Sequence, residues 1–441
     1  MQRDIYQKLL AWKSSRRRKP LLLKGARQVG KTYLLKKFGA QEYSHVAYLN
    51  FEEEPLIDDF FKSNLTPEKI IRNLSLYIKH DIKPEQDLIV FDEIQASNNA
   101  LNSLKYFNEK ANQYHIAAAG SLLGIKLTKP KSFPVGKVNF LSMYPLTFLE
   151  FLDAVNRDEL RKLIESTSAF TPYPEPFHRE LTDLLRAYYY VGGMPEAVHF
   201  FAETNDFSGV REIQKEILNS YILDFAKHAP PQDIPKLSLI WDSIPVQLGK
   251  ENKKFIFSAL KKSARAREYE NALQWLQDTG LILRINLVKA GKMPLSAYAE
   301  KSIFKIYALD VGLLGALAKT PPDILARDDQ LFTEYKGAFV ENYVAQQLTS
   351  HKETELYYWK SDGLAEIDFI CGEGHHVFPL EAKAGMNPRS KSLGFYAEKY
   401  DPPILSRATL LNLKRDGNII NYPLYAISLF PGLFLSSANQ H

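Results

Sequence analysis

Residues 21 to 38, LLLKGARQVGKTYLLKKF, constrain the backbone more tightly than any other stretch of this 441-residue chain. A short apolar run enters Gly25-Ala26-Arg27-Gln28-Val29-Gly30-Lys31-Thr32, and an apolar-periodic segment starting at Tyr33 leaves it. That succession predicts a strand, a glycine-hinged loop and a helix, and it satisfies GxxxxGK[ST], whose backbone N–H groups cradle phosphates at a helix N-terminus. Residues Gly25 to Tyr33 are therefore the expected nucleotide-contacting set.

From this loop to about residue 150, short apolar runs (HVAYLNF, DLIVFDE, HIAAAGS) alternate with amphipathic segments (EKIIRNLSLYIKH, NALNSLKYFNEK). Unbroken apolar strands, each followed by a helical period, predict an α/β domain with a parallel sheet covered by helices. The run LIVFDEIQ places Asp92 and Glu93 at a strand end, where Mg-nucleotide chemistry needs acids. The expected roles follow from charge: Lys31 neutralises phosphates, Thr32 and Asp92 hold Mg2+ directly or through water, and Glu93 polarises the attacking water. Ser121, after the next strand, is placed to sense the γ-phosphate. ATP and Mg2+ are the expected cofactors, and Glu52, Glu53 and Glu54 read as a solvated acidic loop.

The length predicts two to four domains, and a net charge of +5 decides nothing about nucleic acid. The single Cys371 leaves no intramolecular disulfide and no multi-cysteine zinc site. No apolar stretch reaches the roughly 20 residues of a membrane span, and the N-terminal segment has no secretory h-region, so a cytoplasmic protein without a membrane partner is expected.

Residues 154–228 read as a charged, aromatic, helical region in which the three tyrosines before Gly192-Gly193 pack a core or interface. Beyond the break APPQDIP, a helix, a turn, two further helices and a hairpin with KAGKM at its tip suggest a winged helix. Lys250, Lys253, Lys254, Lys261, Lys262, Arg265 and Arg267 stand there against the single acid Glu251. Such a local excess is the footprint of DNA phosphate contact; a solvated face or a contact with a neighbouring subunit is the other reading.

The last chemistry-bearing stretch is AEIDFICGEGHHVFPLEAKAG, residues 365–385. Alternating runs about a Gly-Glu-Gly turn predict a β-hairpin with Glu366 and Asp368 on one strand face and Glu381 and Lys383 on the facing one. If the chain folds about Glu373 and Gly374, Glu366 lies opposite Glu381, a like-charge arrangement that needs a bridging cation. A divalent metal, Mg2+ or Mn2+, would supply it, and Lys383 would position or deprotonate a water for phosphodiester attack. An ordinary exposed charge pair and a fold that only binds DNA or a partner remain open. His375 and His376 read as a solvated turn.

Asp368 followed thirteen positions later by Glu381-Ala382-Lys383 is similar to the PD-(D/E)XK nuclease signature, although Ile367 stands where its proline would be. Taken together, GARQVGKT, LIVFDEIQ, AAAGSLLG, VGKVNFLSMYPLTFLEFL, YYYVGGMPEAV, IYALDVGLL, YKGAFVENYVAQQL, YYWKSD and EIDF followed by PLEAK resemble a widespread group of bacterial and archaeal AAA+-type ATPases. In that group the ATPase is fused to a C-terminal domain of unknown function resembling the PD-(D/E)XK nuclease fold. The resemblance implies an AAA+-like core over 1–153, a helical lid or linker over 154–228, a winged-helix-like domain over 229–320 and an α/β restriction-endonuclease-like domain over 325–441. It also implies Glu341 as the first-helix acid, so Glu341, Asp368 and Glu381 are the candidate ligands of a second divalent metal. A homo-oligomer acting on DNA, structured or branched, is the expected assembly, with a nucleotide-gated scaffold for a protein partner as the alternative. Related sequences commonly carry Arg where this chain has Lys137, and no arginine is assigned as a finger.

Overall fold

The computed structural model describes residues 2–62, 66–121, 136–250, 253–321, 336–352, 354–363, 365–383 and 391–438. Glu251, the one acid of the basic segment, lies outside this set. Contacts divide the chain into two units, residues 2–144 with 278–281, and residues 145–277 with 282–441.

The first unit is built on five strands, β1 (Leu21–Lys24), β2 (His45–Asn50), β3 (Asp87–Asp92), β4 (His115–Ala119) and β5 (Asn139–Ser142), in the order β2-β3-β4-β1-β5. Every neighbouring pair is parallel, as the unbroken apolar runs predict. Strands β3 and β4 are buried along their whole length. Helices Lys31–Glu42, Pro67–Ile78 and Asn98–Lys110 alternate with the strands. The last begins at Ser97, whose side chain accepts a hydrogen bond from the Ala100 N–H. Leu22, Leu49, Ile70, Leu74, Ile89, Phe91, Leu104, Phe107 and Ile116 form the apolar centre between sheet and helices.

The second unit opens on helices. Helix Phe148–Ala154 starts with a capping box between Thr147 and Glu150, and helices Glu175–Val191, Pro195–Thr204, Phe207–His228 and Ile234–Leu248 follow. Tyr188, Tyr189 and Tyr190 are buried, with Tyr188 and Tyr189 edge-on to the ring of Tyr343. Where the sequence suggests a middle helix before Ala266–Asp278, there is one 3-10 turn, Phe257–Ala259. The Phe255 N–H donates to the Phe304 carbonyl at 2.8 Å, which holds the chain extended there instead of coiled.

Eight strands complete this unit: β6 (Ile282–Val288), β7 (Ala299–Ala308), β8 (Tyr357–Lys360), β9 (Glu366–Glu373), β10 (His376–Ala382), β11 (Leu405–Thr409), β12 (Lys414–Asp416) and β13 (Ile419–Pro423). Their order is β12-β13-β11-β10-β9-β8-β6-β7, so the expected wing hairpin β6–β7 is the edge of the C-terminal sheet. Parallel pairing of Asn286, Leu287 and Val288 with Tyr357, Tyr358 and Trp359 makes the join. A boundary near residue 320 therefore cuts through one sheet.

The β9–β10 register also differs from the sequence expectation. Glu373 pairs with His376 and Leu380 with Phe369, so the turn residues are Gly374 and His375. Gly374 takes φ 60°, the conformation glycine supplies at the first position of a two-residue turn. Continued one step, the register sets Glu381 opposite Asp368, not Glu366. The shift is two residues, so every side chain keeps its face.

Candidate functional site

In the first unit the loop after β1 is shaped by unusual backbone. Gln28 and Gly30 take φ 65° and 94°. A Cβ at Gly25 would lie 2.2 Å from the Met143 carbonyl oxygen, so only glycine fits there. Helix Lys31–Glu42 begins at Gly30 without a side-chain cap, the kind of helix start that favours an anion. Ala26, Val29 and Lys31 are buried, Gly25, Arg27, Gly30 and Thr32 half-buried, and Gln28 and Tyr33 exposed.

The Lys31 ammonium donates to the carbonyls of Gly25 at 2.9 Å and Ala26 at 2.7 Å. The Thr32 hydroxyl donates to Asp92 Oδ2 at 2.6 Å, and the Tyr48 hydroxyl to the same oxygen at 2.8 Å. Asp92 ends β3 and is buried, while Glu93 follows with φ 47° and its carboxylate accepts from the Gln95 amide. Ser121 is buried just beyond β4. A Thr hydroxyl and a carboxylate in contact beside an uncapped helix start fit a Mg-nucleotide: Thr32 and Asp92 would hold Mg2+, which would neutralise charge on the phosphates. Lys31 then needs only to turn from the loop carbonyls to a phosphate.

Two partners escape motif reading. Arg3 is buried and donates to the Val29 carbonyl at 3.1 Å and the Tyr144 carbonyl at 2.6 Å, bracing the loop from behind. Burial and the Asp92 hydrogen bond hold the Tyr48 hydroxyl well above the usual tyrosine range, so it stays a donor. Neither has a spacing signature; a tyrosine placed on the strand beside β3's last acid is visible only once the β2–β3 register is known.

The C-terminal acids form a second cluster. Glu341 lies on helix Lys336–Lys352, Glu366 and Asp368 on β9, and Lys305 on β7. The Lys305 ammonium, on a residue 1% exposed, lies 2.7 Å from Glu366 Oε1, 3.5 Å from Glu341 Oε2 and 3.9 Å from Asp368 Oδ1, and 4.9 Å from the centre of the Tyr358 ring. Lys253 pairs with the other oxygen of Glu341, and the Tyr307 hydroxyl donates to Glu341 Oε2 at 2.8 Å. Asp368 Oδ2 accepts the Ala382 N–H at 2.9 Å.

Burial works to lower the Lys305 pKa, but Glu341, Asp368 and Glu366 outweigh it and hold the ammonium far above the usual lysine range. Glu341, also buried, is pulled down to about 2 by Lys305 and Lys253. Burial and the Glu341 charge push Asp368 up to about 8. Burial raises Glu381 against the pull of Lys383, which pairs with it at 3.1 Å.

The candidate ligands Glu341 and Asp368 thus converge, yet around an ammonium. Among the described residues no three His, Cys, Asp or Glu side chains are grouped to hold a metal ion. The cation that like-charged strands require is Lys305, and the donor set does not fit a divalent metal as it stands. One sequence signal points to it: Lys305 interrupts the apolar run IFKIYAL, and a lysine inside a buried strand demands acidic partners.

The basic segment divides. Lys261, Lys262, Arg265 and Arg267 are exposed apart from a half-buried Ala264 between them, Lys250 and Lys254 are half-buried, and Lys253 is committed to Glu341. His375 and His376 are exposed and Cys371 is buried. Lys137 pairs with Glu109 at 3.0 Å. Among the described residues no helix is long and apolar enough to cross a membrane.

Residues 17–152 match the family described as AAA domain; residues 182–323 and 336–426 match two families described as domains of unknown function, DUF8612 and DUF4143. Similar solved structures include the Walker-type ATPase PABY2304 of Pyrococcus abyssi, at 15% identity, covering 72% of this chain and 95% of that one with a TM-score of 0.46. The Aeropyrum pernix ORC1 protein in complex with DNA is 14% identical over 73% of this chain and 92% of that one, with a TM-score of 0.29. The Thermotoga maritima RuvB Holliday junction branch migration motor is 14% identical over 64% and 89%, with a TM-score of 0.30. No curated protein matches the chain. With the AAA-domain match and the P-loop geometry together, the first unit is an AAA-type ATPase domain.

Proposed function

We propose that this chain is an ATP-hydrolysing, DNA-handling protein, working as a homo-oligomer, in which nucleotide state controls how a basic, winged-helix-like segment and a nuclease-like C-terminal sheet engage DNA. The ATP half of the reading is supported by Thr32 and Asp92 meeting at 2.6 Å beside the uncapped helix start. With Mg-ATP bound, Lys31 would neutralise the phosphates, Thr32 and Asp92 would hold Mg2+, Glu93 would polarise the attacking water, and Ser121 would sense the γ-phosphate.

The observation that carries the DNA half is the exposed run Lys261, Lys262, Arg265 and Arg267, four bases within seven residues. Such a cluster releases counterions from phosphates, a gain that falls steeply with salt. The test is DNA binding by the full chain at several salt concentrations, with and without a slowly hydrolysed ATP analogue, on duplex, single-stranded and branched DNA. Nucleotide-dependent, salt-sensitive binding to one structure is expected; no binding at low salt would overturn the reading.

One observation favours a second reading, a nucleotide-gated scaffold for a protein partner. Lys253 and Lys305 are spent on Glu341 and Glu366 of the C-terminal acid cluster, which leaves neither ammonium for a phosphate and no vacant place for a metal.

A further inference from the structure

We infer that the Lys305 ammonium is the resident counter-ion of the C-terminal carboxylate cluster and takes the place of a divalent metal, so the nuclease-like sheet binds no such cation there. Lys305 and Tyr307 are two apart on β7 and share a face, and both reach Glu341 on the helix, while β9 presents Glu366 and Asp368 to the same ammonium.

The position is already filled in both space and charge. A hard divalent cation takes oxygens at about 2.0–2.6 Å. The Lys305 nitrogen, 2.7 Å from Glu366 Oε1, stands where such an ion would have to sit. Both oxygens of Glu341 are engaged, one by Lys253 and the other by Lys305 and Tyr307. Asp368 spends Oδ2 on the Ala382 N–H and turns Oδ1 to Lys305. Three carboxyl groups, Glu341, Glu366 and Asp368, face the ammoniums of Lys305 and Lys253, with Lys360 4.0 Å from Glu366. Adding a doubly charged ion beside a buried ammonium would create repulsion at close range, in surroundings that screen charge poorly. A metal therefore enters only by expelling Lys305, which has β7 on either side of it.

Cation binding alone decides the matter, independently of DNA handling. Nucleotide-free, full-length protein is titrated with Mn2+, and bound metal is read from the fall in the free-ion paramagnetic resonance signal. Wild type and Asp368→Asn are expected to give the same isotherm, because any Mn2+ held at the P-loop does not involve Asp368. Lys305→Met is expected to gain one Mn2+ per chain, and the further change Asp368→Asn to remove it. A wild-type Mn2+ site that disappears in Asp368→Asn would overturn the inference, as would a folded Lys305→Met that gains none. Should Lys305→Met not fold by circular dichroism, the comparison of wild type with Asp368→Asn is decisive by itself.

Discussion

The two units each place a carboxylate cluster against a sheet, but the clusters differ in what neutralises them. Asp92 accepts hydrogen bonds from two neutral hydroxyls, Thr32 and Tyr48, neither of which brings a counter-charge. Glu341 is met by two ammoniums, Lys253 and Lys305, one of which also serves Glu366 and Asp368. A carboxylate held by hydroxyls is poised for a metal-nucleotide, whereas a carboxylate held by ammoniums is finished as structure. Similar residue types therefore carry opposite meanings, set by the partner and not by the motif.

The contrast is most exposed to failure at the first cluster. Lys31→Ala should cut ATP turnover by about 10²–10³-fold, the usual effect of removing one donor that stabilises transition-state charge, with the circular dichroism spectrum unchanged. Phosphate release at saturating ATP reads it. Glu93→Gln should retain ATP binding by equilibrium dialysis yet slow hydrolysis by about 10²-fold or more, as expected when a general base is removed. Equal hydrolysis rates would move the water-polarising role to another residue.

At the second cluster the expected effects are on stability. Lys305→Met removes the ammonium shared by Glu341, Glu366 and Asp368, leaving Lys253 on Glu341, and should destabilise the second unit by about 3–5 kcal/mol in urea unfolding. A change near zero would mean the acids find other partners. Titration gives a finer test. Because the folded pKa of Asp368 is raised to about 8, its contribution is fully present below the ordinary Asp range near 4 and fades as pH rises through the folded value. Asp368→Asn should therefore flatten the fall in stability between about pH 4 and pH 8. The smallest effect is at the surface: reversing Lys261 and Lys262 to Glu should weaken DNA binding and lower the log-log salt slope by about 0.9 for each phosphate no longer neutralised.

The loop geometry around Gly25 to Thr32 is largely legible in the sequence because it is local. Gly25 to Thr32 must form the loop wherever the chain goes, and LIVFDE ends a strand by its apolar run alone. The C-terminal cluster was legible only in part. Residue spacing put Glu366, Asp368, Glu381 and Lys383 on one face, but a turn expected one residue early shifted the partner of Glu381. Lys305 is 36 positions from Glu341, and its part depends on β6 pairing with β8, a pairing that no local pattern encodes. The same non-local pairing draws the β6–β7 hairpin into the C-terminal sheet. Arg3 behind the P-loop is a third case, since its carbonyl partners at Val29 and Tyr144 carry no side-chain signature.

If ATP chemistry in the first unit is coupled to DNA through the basic segment of the second, DNA must alter the rate of hydrolysis. The decisive quantity is the steady-state ATPase rate at low salt, with and without DNA, in the wild type and in the Lys261/Lys262 charge-reversal variant. DNA is expected to change the wild-type rate several-fold and to leave the variant's rate as it was. An identical wild-type rate with and without every DNA structure tried would contradict the coupling.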